Sequence, residues 1–437
     1  MDSTIILGLL GVILALFVFS FLCYKGVHLY VAVMCAVVVV CITNGVSLND
    51  AFLTNYWPNF TNYLSNYWWI FMSGAMFGSV ITVTGAGDVF AHFMLKHTGK
   101  FALLGLNLLL TILTYCGFST YGGGLFAVLP IIFVVFKELD IPRRFVIAII
   151  GFTTCTMAAA APGAPIAQNI ITTTYFGLPL MTGVCVSLVC SVVMFAIGEI
   201  MLEKMVAKAK ANGEHYVPLE MDFNVDEQSE EKKKPHIIKA VIALISFPIF
   251  VNVLPFNMFF STVIAMFFAL IVLWGYWDIK GMLTDWGKVI PGAVTIILGQ
   301  CAVMGFGGVF TGVPAYSYVT SFLASIPGTP LISCAVATTL MAGISGSGAS
   351  GINLTLPVMA PIWLETGVAV PAISRTMVVS ALAFDSLPHN GALNGWLSGL
   401  NVKLRDAYMP YFWLTLIVPV IGTTLMVILF SLFPMLP

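Results

Sequence analysis

The sequence predicts an all-α polytopic membrane protein made of two inverted repeats, each with five crossings, a re-entrant hairpin and a broken helix. Three observations carry this. The 437-residue chain is 59% hydrophobic, and its 18 basic and 19 acidic residues make it only 8% charged, against about 25% in soluble domains. Apolar runs near the ~20 residues that cross a bilayer recur from 5–23 to 413–433. The same glycine and proline punctuation also occurs twice along the chain.

The first span, 5–23, follows a start that carries Asp2 and lacks the basic region of a signal peptide. Short cytoplasmic loops collect Lys and Arg, so Lys25, Lys96 and Lys100 put the first and third connections inside. The Asn- and Trp-rich segment 49–69 and the N-terminus then lie outside. Lys137, Arg143 and Arg144 are again cytoplasmic, so 101–136 enters and leaves on one face as a re-entrant hairpin with its tip at 117–124. The next segment, 145–175, crosses outward with an interruption at 162–169, and 178–202 returns to a cytoplasmic charged linker, 204–236. The stretch 203–239 holds 15 of the 37 charges.

In the second half, spans near 237–254, 258–277 and 289–310 lead to a hairpin at 331–364. Its flanks, 325–330 and 365–371, contain no Lys or Arg, so it opens outside. A broken helix at 372–401 descends to Lys403 and Arg405, and the final span ends outside. Both termini are expected outside a multi-pass cell membrane, a bacterial inner membrane. The repeat is read from matching pieces: Gly117-Phe-Ser-Thr-Tyr-Gly-Gly-Gly124 with Gly343-Ile-Ser-Gly-Ser-Gly-Ala-Ser-Gly351, Leu129-Pro130 with Leu356-Pro357, Ile141-Pro142 with Val370-Pro371, and Ala161-Pro-Gly-Ala-Pro-Ile-Ala-Gln-Asn169 with Asp385-Ser-Leu-Pro-His-Asn-Gly391, offset by about 226 to 229 residues.

Such breaks free backbone groups that hydrocarbon cannot satisfy, so they must line a cavity or be covered by protein. Two hairpin tips and two broken helices meeting at the midplane present half-helix N-termini to an anion and carbonyls to a cation. Ser119, Thr120, Gln168 and Asn169 in one half, with Ser345, Ser347, Ser350, Asn353 and Asn390 in the other, are the candidate substrate-binding groups. Packing of small residues between helices is their alternative role. Asp385, an acid at a break deep in an apolar segment, and His389 four residues on are the candidate coupling pair. The alternative is that Asp385 caps the half-helix after Pro388 while His389 is hydrogen-bonded in the bundle. Asp88, Glu199, Arg375 and Glu365 read as interfacial.

The balanced charge gives no nucleic-acid signal, and the nine cysteines lack metal-ligand spacing, so neither cofactor, metal nor disulfide is expected. Gly346-Ser-Gly-Ala-Ser-Gly351 fits G-x-G-x-x-G but has no βαβ context. Ser345 and Ser350 each stand in a G-x-S-G pattern with His389 available as base, which makes a rhomboid-like intramembrane serine protease the enzyme rival. A channel is a third reading.

Four motifs, Ser73-Gly-Ala-Met-Phe-Gly-Ser-Val with Thr84-Gly-Ala-Gly, Pro162-Gly-Ala-Pro-Ile-Ala-Gln-Asn-Ile-Ile, Ser345-Gly-Ser-Gly-Ala-Ser-Gly and Asp385-Ser-Leu-Pro-His-Asn-Gly-Ala, are similar to those of the gluconate permease (GntP) family in the ion transporter superfamily. The resemblance spans roughly 69–408. It implies import of small organic anions, hydroxy acids or sugar acids, by proton-coupled symport, with sodium coupling as the alternative because Ser, Thr, Asn and carbonyl oxygens suffice to bind that ion. It also implies a homodimer with scaffold spans at 1–100 and 237–326. The hairpin and broken-helix transport units, 101–203 and 327–437, would move like an elevator. Sugar-acid members tend to carry a His- and Pro-rich motif where 162–169 stands here, which points to a smaller, less hydroxylated carboxylate.

Overall fold

A computed structural model describes residues 3–115, 124–164, 166–217, 234–253, 258–326 and 328–433, whose regular structure is entirely helical. Helices α1 (Ser3–Tyr24) and α2 (Leu29–Asn44) pack together at the start. On α1, Leu10, Ile13 and Phe17 are 58%, 65% and 64% exposed while Val12, Ala15 and Phe19 are buried. A helix apolar on both its exposed and its packed stripe belongs in lipid.

Then α3 (Leu48–Asp50), a π-helical segment (Ala51–Tyr56) and α4 (Trp57–Val83) run on as one helix. The stretch 49–69, expected as a separate exterior segment, is therefore helical. Pro58 does not interrupt it, because right-handed helical turns precede it and the π-helical spacing accommodates a missing N–H. After α5 (Ala86–Thr98) and a 3-10 turn (Gly99–Phe101) come α6 (Ala102–Tyr115) and α7 (Gly124–Glu138). With 14 and 15 residues, each is about 21 Å long, short of the ~30 Å hydrocarbon thickness. The expected hairpin tip between them lies outside the described residues.

A 3-10 turn (Arg143–Phe145), α8 (Val146–Ile150), a π-helical segment (Gly151–Met157) and α9 (Ala158–Ala160) form one helix that ends where Ala161 turns extended. It resumes as α10 (Ala167–Phe176), so Gln168 and Asn169 occupy the first turn of α10 and not the break itself. Helix α11 (Val184–Ala211) carries helical structure into the charged stretch that was expected to be linker. Just beyond it, Arg144 pairs with Glu214 at 2.6 Å and His215 with Asp140 at 2.7 Å.

The second half contains α12 (Ile237–Val253), α13 (Met258–Val272), α14 (Ile279–Thr311), α15 (Ala315–Ala324), α16 (Pro330–Ser345), α17 (Gly348–Glu365), α18 (Val370–Phe384), α19 (Gly391–Gly399), α20 (Leu404–Phe412), a π-helical segment (Trp413–Ile417) and α21 (Val418–Leu432). Helix α14 starts well before the expected residue 289 because the Asp278 carboxylate caps it, accepting from the Gly281 N–H at 2.8 Å. Two short apolar helices followed by a helix broken in its middle thus occur as α6–α10 and again as α16–α19. Among the described residues five helices are long and apolar enough to cross a membrane: Ile6–Tyr24, Arg143–Ala160, Val184–Ala211, Ile279–Thr311 and Leu404–Leu432. The chain is a polytopic helical membrane protein.

Small residues set close helix contacts, as is usual in membranes. A Cβ at Gly305 of α14 would lie 2.6 Å from the Tyr56 ring, and one at Gly308 would lie 2.6 Å from the Asn55 carbonyl oxygen. In the α16–α17 hairpin, a Cβ at Gly351 would fall 2.4 Å from the Ala342 Cα, so the arms touch backbone to backbone. Gly346, at φ +64°, makes the turn between them in the left-handed region that suits glycine.

Candidate functional site

A cavity of about 530 Å³ lies where α4 and α14 face α10, α17 and α19. Three helix N-termini reach its wall: Ile166, Ala167 and Gln168 from α10, Ser347 to Ser350 from α17, and Asn390 to Ala392 from α19. Each N-terminus leaves backbone N–H groups without intrahelical acceptors and carries the positive end of the helix dipole. Ser347 caps α17 through the Ser350 N–H, and Asn390 caps α19, accepting from the Leu393 N–H at 2.7 Å. Ile166 has no polar side chain, so α10 opens uncapped. Among the described residues no Lys or Arg stands in the wall, and the convergent dipoles are its main positive feature.

Asp385 also lines this cavity. Its Oδ1 accepts from the Ser386 hydroxyl at 2.9 Å, and its carboxylate receives the backbone N–H of Gly348. The helix that follows the acid is capped by Asn390 and α17 by Ser347, while the Asp385 carboxylate stands beside the start of α17, the second arm of the hairpin. The position a Cβ would take at Gly348 lies 2.9 Å from Asp385 Oδ2 and 3.4 Å from Gln168 Nε2. Glycine is what lets both side chains approach that helix start. Gln168 Oε1 and, across the cavity, Gln300 Nε2 are buried without a hydrogen-bond partner, a cost that a bound polar group would remove.

The opposite wall was missed in the sequence. Asn59, Asn62, Tyr63, Asn66 and Tyr67 of α4 all line the cavity. Their spacing of i, i+3, i+4, i+7 and i+8 is one face of a helix, and that periodicity was readable once 49–69 is taken as helix. The Tyr63 hydroxyl donates to Gln300 Oε1 of α14, and the Tyr63 and Tyr67 rings sit 4.5 Å apart.

Of the groups singled out from the sequence, Gln168, Ser347, Ser350, Asn353, Asp385 and Asn390 share this one wall. Ser119 and Thr120 lie outside the described residues. Ser345, Asn169 and His389 stand behind the wall. The Ser345 hydroxyl donates to the Met341 carbonyl at 2.8 Å, a helix-interior bond. His389 Nε2 meets the Gly343 carbonyl at 2.7 Å and Nδ1 meets the Ser20 hydroxyl at 3.3 Å, so both ring nitrogens are engaged. Ser350 Oγ instead contacts Met304 Sδ at 2.9 Å. Neither serine is presented to His389 as a nucleophile to its base.

Two of the residues read as interfacial are buried within the protein. Arg375 is 1% exposed in the middle of α18; it donates from Nε to Ser187 Oγ at 2.8 Å, from Nη1 to Asn169 Oδ1 at 2.5 Å and from Nη2 to the Ala160 carbonyl at 2.5 Å. The sequence placed no cation near the site, yet this one braces the first helix break from behind. Glu199 is 6% exposed on α11. Glu365 is exposed at the end of α17, and the Asp88 side chain lies outside what is described.

No family model matches the sequence. The chain is 27% identical over 459 aligned residues, covering 94% of this chain and 96% of the relative, to a Bacillus subtilis (strain 168) protein bearing the name uncharacterized transporter YxjC.

Proposed function

We propose that the chain is a secondary active transporter, a symporter of small organic acid anions coupled to protons. The carrying observation is the meeting of three helix N-termini on a cavity whose wall, among the described residues, contains Asp385 and no Lys or Arg. A substrate carboxylate takes the uncapped start of α10 and the N–H-rich starts of α17 and α19, while the amides and phenols of α4 hold its hydroxyl or second polar end. Ionised, Asp385 competes for the α17 N-terminus and repels the anion; protonated, it does neither. Loading the proton thereby favours loading the substrate, which is the reciprocity that symport requires. The near full-length similarity to a protein named a transporter supports the class.

In this reading α4 and α14 belong to a static scaffold, 1–100 and 237–326, and the hairpins and broken helices of 101–203 and 327–437 form units that move past it as an elevator in a homodimer. The cavity's place between α4 and α14 on one side and α10, α17 and α19 on the other supports that division. The two halves are inverted copies of each other, each with its own hairpin, and the charge of the loops sets both termini outside. Sodium is the second reading, favoured by the unpartnered Gln168 Oε1 in the same wall as the Asp385 carboxylate.

The test is uptake into proteoliposomes of a carboxylate panel from lactate and 3-hydroxybutyrate to gluconate and citrate, under an inward proton gradient without sodium. Saturable accumulation that collapses with the gradient is expected, and Asp385→Asn, a permanently neutral mimic, should still bind substrate but no longer accumulate it. Accumulation only with sodium moves coupling to the second reading. No uptake of any panel member under either gradient sinks the proposal.

A further inference from the structure

A second buried acid lies away from the cavity, on α11. Glu199 is 6% exposed and Asn107, from α6, is fully buried. Asn107 Nδ2 donates to Glu199 Oε2 at 2.7 Å. The remaining oxygen of each group, Glu199 Oε1 and Asn107 Oδ1, is buried with no hydrogen-bond partner. As a carboxylate beside an amide, the pair strands two acceptors out of water and leaves a charge without a counter-ion.

Among the described residues no cation is bonded to Glu199. Of the elements most closely packed against α11, namely α9, Gly151–Met157, Trp413–Ile417 and α21, and of α6 itself, none contains Lys, Arg, His, Asp or Glu; the other neighbours bring Arg375 of α18, which bonds Ser187 on α11, and, on the elements packed against α6, Asp88, His92, Lys96, His97, Lys100, Lys137 and Glu138. The titratable groups of the closest elements are Cys155 and Tyr115, and on α11 the nearest acid is exposed Glu203, one turn on, followed by exposed Lys204. Phe152 closes the site from the side: a Cβ at Gly198 would lie 2.2 Å from its ring.

We propose that Glu199 and Asn107 form a proton-binding site, in which a proton on Glu199 Oε1 is donated to Asn107 Oδ1 and closes a cyclic acid–amide pair. One proton converts both stranded oxygens into partners and removes the uncompensated charge, leaving every polar atom of the two groups engaged. The pair joins an arm of the first short-helix pair, α6, to α11 next to the helix end rich in exposed Lys. Separation of α6 from α11 would expose the carboxyl to water there and release the proton. That role in a transport cycle rests on the reading above; the presence of the proton does not.

Infrared spectra of the full-length protein in proteoliposomes decide it without any transported substrate. At neutral pH a protonated-carboxyl C=O band is expected that is lost in Glu199→Gln, survives in Asp385→Asn and shifts in Asn107→Leu. Gln reproduces both hydrogen bonds of the protonated acid, so this variant should fold. Isotope labelling of the glutamate carboxyls in the unmutated protein must shift the same band, which keeps the test decisive if a variant fails to fold. Absence of the band at neutral pH, or a band that neither the label nor Glu199→Gln alters, overturns the proposal even if proton-driven uptake is seen.

Discussion

In the helix break at 161–166 the freed carbonyls face a cation, whereas in the break at 385–390 an acid occupies the break and faces the cavity. Both are tied by asparagine. Asn169 donates to the Ala164 carbonyl at 3.0 Å, and Asn390 donates to the Asp385 carbonyl at 2.6 Å and the Gly346 carbonyl at 3.1 Å. Behind the first, Arg375 joins the Ala160 carbonyl at the end of one half-helix to Asn169 at the start of the other. In the second, Asp385 reaches across to the hairpin arm α17. The same way of satisfying an interrupted backbone thus serves one break held from behind by a cation and one whose own side chain lines the cavity.

Variants can break this contrast. The largest effect is expected for Arg375→Leu, which orphans Asn169 Oδ1, Ser187 Oγ and the Ala160 carbonyl. At about 1–3 kcal/mol per buried unsatisfied group, stability should fall by about 3 kcal/mol or more, read as a large drop in the thermal midpoint in detergent. Arg375→Lys, a point charge that reaches fewer acceptors, should recover only part of it. Asn390→Ala removes a cap and two carbonyl ties, costing about 2 kcal/mol by the same measurement; an equal or larger loss than at Arg375 would erase the distinction between the two breaks.

Gly348→Ala sharpens the second break alone. Its methyl would lie 2.9 Å from Asp385 Oδ2, so the carboxylate must move while the hairpin stays folded. Gradient-driven uptake should fall with little change in thermal midpoint, and a parallel loss of both would argue that Asp385 is only structural. The smallest effect is at the surface. The Asp140 carboxyl is held below the usual carboxylate range, first by His215 and then by the Tyr216 N–H. Because the folded state favours the ionised form, the tie is fully present above that range and is lost as pH falls through it. Protection of the Tyr216 N–H against hydrogen exchange, relative to its intrinsic rate at each pH, should fall on acidification, and Asp140→Asn should remove that pH dependence without disturbing either break.

Proline and glycine punctuation located both breaks and the second hairpin to within a few residues, because those residue types limit backbone geometry locally. Six of the nominated side chains gather on one wall for the same reason: each sits at or beside such a break. What escaped notice depends on distant partners. Arg375 and Asn169 are 206 residues apart, and nothing near Arg375 in the sequence signals a polar socket. The α4 face was overlooked because 49–69 was read for its side of the membrane and not for helical period, although Asn59, Asn62, Tyr63, Asn66 and Tyr67 share one face along the cavity. Asp385 was identified as a coupling candidate, but its approach to the start of α17 was not, because the sequence shows neighbours along the chain and not across the hairpin.

The α4 wall has a consequence for how conditions act on the cavity. Its asparagines do not titrate, and its tyrosines ionise only well above neutrality in water. Between mild acid and mild base, this half of the cavity therefore offers a visiting molecule the same array of donors and acceptors. Acidity can alter the fit only from the other half, so one surface acts as a fixed gauge of shape and hydroxylation and the facing one as the dial.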